Sequence, residues 1–338
     1  MNTAKIDLHL HLDGSLNIRW AYEKALKRGV IDKDMSFEAF YDLLFVNNIR
    51  HSVQSFKKFE IVCDVLQEYD DLFEATYDLC KRLDEMGLIY AEIRFASQQH
   101  CKKGMTQYDA LKAVIDGADK AMEDFEIRVG IIDCLMHKGD SATFNANENL
   151  KSIAAGGKFY GKGLVGFDLA GYENNCDYRD YAPYFQLIRN MKIPYTLHTG
   201  EMDEGSHILD ALAMKPNRLG HAINCIQDQR YIDALKEANI PIEVCVSSNV
   251  KLDRNYAGHP IRRMMEEGLP VTINTDNMIF ARTDVVNEHH QLKMIGLSEE
   301  DLIRSTYTSL DAAFCDEKTK SILKDKLDKQ FKEKAQID

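Results

Sequence analysis

The sequence predicts an α/β protein, a TIM-type (β/α)8 barrel with extra helices inserted after strand 1. Three observations predict it: eight short β-rich runs, helical periodicity between them, and the spacing at which they recur. The runs are Lys5 to Leu10, Leu88 to Phe95, Ile127 to Ile132, Leu164 to Leu169, Pro194 to Leu197, Arg218 to Gly220, Pro241 to Val246 and Val271 to Asn274. Strands that alternate with helices point to a parallel sheet with crossover helices. After the first gap the runs begin roughly every 20 to 40 residues, room for one strand, one helix and two loops.

The first gap is longer. Residues 14 to about 87 contain several amphipathic segments, and within Ser55 to Leu66 the residues Phe56, Phe59, Val62, Cys63 and Leu66 keep helical spacing. A helical insertion is expected there. A length of 338 residues allows two domains but also suits one barrel with insertions. No Pro/Gly/Ser-rich linker, internal repeat or low-complexity tract divides the chain, so residues 1–338 are expected to form a single domain. The tail from Asp316 to Asp338 mixes both charge signs, with Ile322, Leu323, Leu327 and Phe331 at helical spacing. It reads as a solvated amphipathic helix, since the interspersed acids argue against a nucleic-acid arm.

Composition narrows the partners. Lys plus Arg (42) against Asp plus Glu (54) leaves a formal charge of −12. That balance disfavours nonspecific attraction to nucleic acid or an anionic membrane, and a small neutral substrate fits better. The 8 cysteines are scattered without a CxxC pair and are expected to be reduced thiols. The start, MNTAKIDLHLHLDG, alternates apolar and polar residues instead of placing a basic region before an apolar block. No run of about 18 apolar residues occurs, so no membrane span is expected and the chain is read as cytoplasmic.

The chemistry lies at the strand ends. His9 and His11 close the first run, and residues i and i+2 of a strand project to one face. In a parallel barrel the C-terminal strand ends surround the active site, so both imidazoles are expected at its mouth. Taken alone, the pair could equally be two incidental polar residues. Repetition argues otherwise: the fifth run leads into His198-Thr199-Gly200-Glu201, the sixth into Gly220-His221, and the eighth into Asn274-Thr275-Asp276-Asn277. Three histidines and a carboxylate with an open position are ligands that a catalytic Zn²⁺ accepts, although residue type also admits iron, cobalt or manganese. The sequence has no HExxH and no HxE with PCxxC. Gly156 to Gly163, GGKFYGKG, lacks the Ser or Thr of a phosphate-binding loop and precedes a strand instead of following one, which makes it a plain loop.

His9-Leu10-His11-Leu12-Asp13-Gly14, Asp168-Leu169-Ala170-Gly171, His198-Thr199-Gly200-Glu201, Gly220-His221 and Asn274-Thr275-Asp276-Asn277 resemble the ordered motifs of the adenosine deaminases, within the amidohydrolase barrels. The resemblance spans most of the chain and includes the helical insertion. It implies hydrolytic deamination of adenosine and 2′-deoxyadenosine to inosine and 2′-deoxyinosine, with one Zn²⁺ per chain. His9, His11, His198 and Asp276 are then the zinc ligands, Glu201 the proton shuttle, and His221 a residue that orients the attacking water. Substrate contacts fall to His11, to Asp13 (the ribose 5′-hydroxyl), to Gly171 (purine N3) and to Asn277 (purine N7). The long insertion would cover a ribose with Phe56 and Phe59, which favours a nucleoside over the free base; ordinary core packing is the other reading of that helix.

The sequence departs from the common family pattern at three places. Asn277 stands where a second Asp is usual, Ala222 where Gly is frequent, and Val246 where Pro follows the strand-seven Cys. Only the first touches chemistry, and an amide always has N–H to offer N7. Related readings are an aminohydrolase acting on adenine, aminodeoxyfutalosine or an N6-substituted AMP. A binding protein with a structural zinc is the non-enzyme reading, although such sites are closed and usually Cys-rich. A binuclear hydrolase would want a bridging lysine at the end of strand four, and Phe167-Asp168-Leu169-Ala170-Gly171 has none.

Overall fold

A computed structural model describes residues 4–45, 53–137, 146–173, 176–202, 205–250 and 255–334. Its strands are β1 (Lys5–His11), β2 (Leu88–Phe95), β3 (Arg128–Met136), β4 (Leu164–Ala170), β5 (Thr196–Thr199), β6 (Arg218–His221), β7 (Ile242–Val244) and β8 (Val271–Ile273). All eight expected strands are present. They form two parallel sheets, β1-β2-β3-β4 and β5-β6-β7-β8. Single bridges join the sheets at both edges, Phe167 to Tyr195 and Leu10 to Asp276. At the second seam Asp276 N–H donates to the His9 carbonyl at 2.8 Å and His11 N–H to the Asp276 carbonyl at 3.1 Å. The seam that completes the ring therefore runs through site residues.

Charged side chains fill part of the space between the strands. Glu92 and Arg94 of β2, Arg218 of β6 and Glu243 of β7 are fully buried. Arg94 donates to Asp168 at 2.8 Å, to Glu243 at 2.9 Å and to the Leu8 carbonyl at 2.6 Å. Arg218 donates to Glu243 at 2.6 Å and to Glu92 at 2.5 Å, and its guanidinium lies 3.5 Å from the Phe314 ring centre. Breaking one buried pair strands the other charge and costs about 3–5 kcal/mol. The network ties strands of both sheets together beneath the mouth.

The insertion carries α1 (Ile18–Arg28), α2 (Phe37–Leu44), α3 (Val53–Val65) and α4 (Tyr69–Glu85). Asn17 caps α1 by accepting from the N–H groups of Arg19 and Trp20, and Gly29 ends it at a φ of 67°. Leu72, Ala75, Leu79 and Leu83 of α4 are buried at helical spacing, which seats the insertion on the barrel. The tail helix, Glu317–Lys334, turns Leu323 and Leu327 onto Ile6, Leu8 and Tyr90. Ile322, expected in its apolar stripe, is instead 46% exposed.

Seven of the eight strands begin or end one or more residues from expectation, the fifth running two residues later at both ends. The third strand continues to Met136, and the seventh stops at Val244, after which Val246–Asn249 forms a short helix. Val246 is the first helical residue, a position where Pro's missing N–H costs nothing, which explains why either residue fits. That helix delivers Ser248 and Asn249 to the mouth.

Candidate active site

Imidazoles from three strands converge at the C-terminal strand ends. Ring centres of His9 lie 4.6 Å from His198 and 4.8 Å from His221, and those of His11 lie 5.5 Å from His9 and 5.4 Å from His198. One ligand atom each from His9, His198, His221 and Asp276 falls within 4.8 Å of all the others. His11 stands beside that group, its Nε2 3.3 Å from Asp276 Oδ1. His221 and Asp276 both hold a left-handed φ of 61°. Such strain persists only where the surroundings enforce it, and it concentrates at functional sites. Ala222 is left-handed too, at 46°, a backbone conformation that glycine adopts without strain.

The donor atoms fit a cation. Nε2 of His9 and of His11 are buried, face Asp276 Oδ1 at 3.6 and 3.3 Å, and make no well-formed hydrogen bond among the described residues, although an unsatisfied buried polar atom is costly. His9 Nδ1 lies 2.8 Å from Glu243 Oε2 and His198 Nδ1 lies 2.9 Å from Asp168 Oδ2. A carboxylate on the far nitrogen fixes the ring and turns the near lone pair to the centre, the usual support of a metal-binding histidine. Burial opposes ionisation of Asp276, but His9, His11 and His221 outweigh it and hold the carboxyl well below its usual range. Ser248 donates to its Oδ2 at 2.5 Å.

Glu201 and His221 are joined by a residue the sequence reading missed. Asn249 donates through Nδ2 to Glu201 Oε1 at 2.9 Å, and the same nitrogen lies 3.3 Å from His221 Nδ1. Burial lowers the His221 pKa to about 4, so the ring is neutral. With Nδ1 facing the Asn249 amine, the ring proton sits on Nε2, 3.6 Å from Glu201 Oε2. Glu173, also missed, accepts from the backbone N–H groups of Gly200, Glu201 and Met202, and so shapes the turn that presents Glu201.

Gly171, Asp13 and Asn277 follow β4, β1 and β8 at the same strand ends. Gly171 has a φ of 130°, which strains any L side chain, and an added Cβ would sit tightly against His137, at 3.1 Å. Asp13 opens the turn after β1 and is buried; burial raises its pKa to about 6. Asn277 directs Nδ2 to Asp276 Oδ1 at 2.6 Å, and a Cβ on Gly14 would reach within 1.9 Å of its Oδ1. Phe59 packs on Phe280, ring centres 4.3 Å apart, at the edge formed by α3 and the segment after β8. The Phe56 side chain lies outside the described residues. Among the described residues no helix is long and apolar enough to cross a membrane.

The family model for adenosine deaminase matches residues 4–330. A curated adenosine deaminase from Clostridium perfringens strain SM101 is 30% identical over 330 residues, covering 96% of this chain and 98% of its own. One from Haemophilus ducreyi is 32% identical over 326 residues, covering 94% of each. In fold, the chain is similar to adenine deaminase from Arthrobacter aurescens, with a TM-score of 0.85 at 22% identity over 98% of this chain and 99% of that one. It is likewise similar to the Arabidopsis N6-mAMP deaminase, with a TM-score of 0.85 at 23% identity over 97% and 98%. An amidohydrolase from Burkholderia ambifaria with bound Zn gives a TM-score of 0.87 at 20% identity over 99% and 92%. The strand-end histidines, the ring of parallel strands and a family match from residue 4 to residue 330 lead to one conclusion: the chain belongs to the adenosine deaminase family, and it is a hydrolytic deaminase.

Proposed function

We propose that the protein deaminates adenosine and 2′-deoxyadenosine, with water, to inosine and 2′-deoxyinosine and ammonia. The observation that carries this reading is the Glu201–Asn249–His221 arrangement beside the histidine and aspartate cluster. In this reading His9, His11, His198 and Asp276 hold one Zn²⁺. The donor set supports that choice, as does the zinc in the Burkholderia relative of the same fold. Bound there, zinc supplies Lewis acidity that brings the pKa of water from 15.7 to about 7.

The chain's own groups do the rest. Glu201 gives a proton to purine N1 as water adds at C6, so that aromaticity is not broken with an uncompensated charge, and takes a proton from that water. It then passes this proton to the exocyclic amine, which leaves C6 as ammonia while the added hydroxyl returns its proton to Glu201 and becomes the C6 carbonyl. His221, neutral with Nε2–H turned to the cluster, donates to the incoming oxygen and favours its developing charge. Gly171 N–H donates to N3 and Asn277 to N7. Asp13 accepts from the 5′-hydroxyl, with the face of α3 that carries Phe56 and Phe59 over the sugar. A carboxylate at the sugar end supports a nucleoside over a nucleoside monophosphate, whose phosphate it would repel.

A substrate panel tests the reading. Adenosine and 2′-deoxyadenosine should be turned over with a higher kcat/KM than adenine, aminodeoxyfutalosine or an N6-substituted AMP. A higher value for any of those three would overturn the nucleoside assignment.

A further inference from the structure

Below the proposed sugar position, three ligand-type side chains meet apart from the main cluster. Asp13, Cys63 of α3 and His100 each offer an atom within 4.8 Å of the other two, and all three are buried. Asp13 Oδ2 lies 3.8 Å from Cys63 Sγ and 3.8 Å from His100 Nε2. Tetrahedral coordination at Zn–S, Zn–N and Zn–O distances of about 2.0–2.3 Å places ligand atoms about 3.3–3.6 Å apart; the two pairs made by Asp13 stand a few tenths of an ångström beyond that, and the Cys63–His100 pair lies within 4.8 Å.

The tautomer of His100 points the same way. Its Nδ1 lies 3.0 Å from the Leu66 carbonyl, which can only accept, so Nδ1 carries the proton and Nε2 the lone pair. That Nε2 is fully buried and has no hydrogen-bond partner among the described residues. Gln99 Oε1, 3.3 Å from Cys63 Sγ, is a fourth donor within reach. Gln67 clamps the two segments by donating to the Cys63 carbonyl at 2.7 Å and the Gln99 carbonyl at 2.8 Å. A thiolate and a carboxylate together neutralise a divalent ion, which lowers the cost of holding it in a buried place.

We infer that Asp13, Cys63 and His100 form a second cation site, for a borderline or soft divalent ion such as Zn²⁺ or Cd²⁺, whose occupation competes with the sugar end of the substrate. Binding displaces the thiol proton to solvent and changes no oxidation state. The competition rests on Asp13 contacting the sugar, whereas the binding does not.

Two readouts test it on the enzyme with its first metal in place. Titration with Cd²⁺ should produce a thiolate charge-transfer band that is lost in Cys63→Ser and in His100→Gln. Added Zn²⁺ should raise the adenosine KM at unchanged kcat, and Cys63→Ser, equally active without added metal, should need at least about tenfold more Zn²⁺ for the same effect. Equal Cd²⁺ bands and equal inhibition in the unaltered enzyme and both variants would overturn the site. A Cys63-dependent band with no change in the adenosine KM would leave the ion site standing and overturn the competition, and with it the sugar contact of Asp13. Should adenosine prove not to be a substrate, the Cd²⁺ band alone decides.

Discussion

The side-chain amide of Asn277 donates to Oδ1 of Asp276 at 2.6 Å, so the residue that departs from the family pattern is tied to a carboxylate of the candidate metal site. One of its two amide protons is engaged there, which leaves the other to make the proposed contact with the substrate. If that second proton reads purine N7, 7-deazaadenosine leaves it facing a C–H group. A buried donor without an acceptor costs roughly 1–3 kcal/mol, about a factor of 5 to 150 in kcat/KM. Asn277→Ala should turn over adenosine poorly and lose most of the preference over the 7-deaza analogue. Equal rates for both nucleosides with the unaltered enzyme would leave Asn277 as a partner of Asp276 only.

Glu201 and Asp13 should separate kinetically. Glu201→Gln keeps the size of the side chain and removes the proton it is proposed to transfer, so kcat should fall about 10²- to 10⁴-fold with metal content unchanged. Asp13→Ala removes the proposed contact to the sugar and should act mainly on KM, again with metal retained. Metal analysis of both purified variants beside their kinetics checks the division, and loss of the metal from both would collapse it.

Asn249 is a positioning residue in this scheme, since it touches Glu201 and His221 and acts through them. Asn249→Ala frees the Glu201 carboxyl to turn and the His221 proton to move to Nδ1. Misplacement of reacting groups by about 1 Å costs on the order of 10²-fold. The expected result is a drop in kcat of about that size, with adenosine KM and bound metal little changed. A rise in KM alone would place Asn249 against the substrate.

The parts of the site that sequence made legible are those with a local rule behind them. His9 and His11 follow the two-residue period of a strand, while His198, His221 and Asp276 each sit where a β-rich run gives out. Glu243 and Arg94 obey no such rule. Each is a charge inside an apolar run, Ile-Glu-Val and Ile-Arg-Phe, and their meaning depends on partners from other strands. The signal was nevertheless present: Glu92 and Arg94 lie two apart, so they share a face, and charges on a buried strand demand partners. Asn249 was beyond reach because the run from Pro241 to Val246 reads as one strand, whereas the chain turns into a helix at Val246. In the insertion, Phe59 keeps its helical spacing, yet its pairing with Phe280 joins the helix to the segment after the last strand, a contact that periodicity cannot disclose.

The last prediction concerns stability and a buried acid behind the site. Glu288 is fully buried, accepting from Ser247 N–H at 3.1 Å and from the Thr283 hydroxyl at 2.7 Å. Burial raises its pKa to about 7, with the charge of Asp7 adding to the rise and the hydrogen bonds from Ser247 and Thr283 opposing it. In the unfolded chain the same group titrates near the ordinary glutamate value of about 4.3. Below that value both states are protonated and Glu288 imposes no penalty. Between it and about 7 the unfolded chain ionises while the native protein keeps its proton, so stability falls by about 1.4 kcal/mol per pH unit. Above the native pKa the loss is complete and constant. Glu288→Gln cannot ionise, and its amide fits the same partners: oxygen toward Ser247 N–H, nitrogen toward the Thr283 hydroxyl, which can accept. Urea denaturation at pH 5, 6, 7 and 8 should therefore show Glu288→Gln gaining on the unaltered protein as pH rises, with the difference levelling off beyond the native pKa. Because both proteins carry the same metal site, its own pH dependence cancels in the difference. A difference that stayed constant across the series would mean that Glu288 is ionised in the native protein throughout.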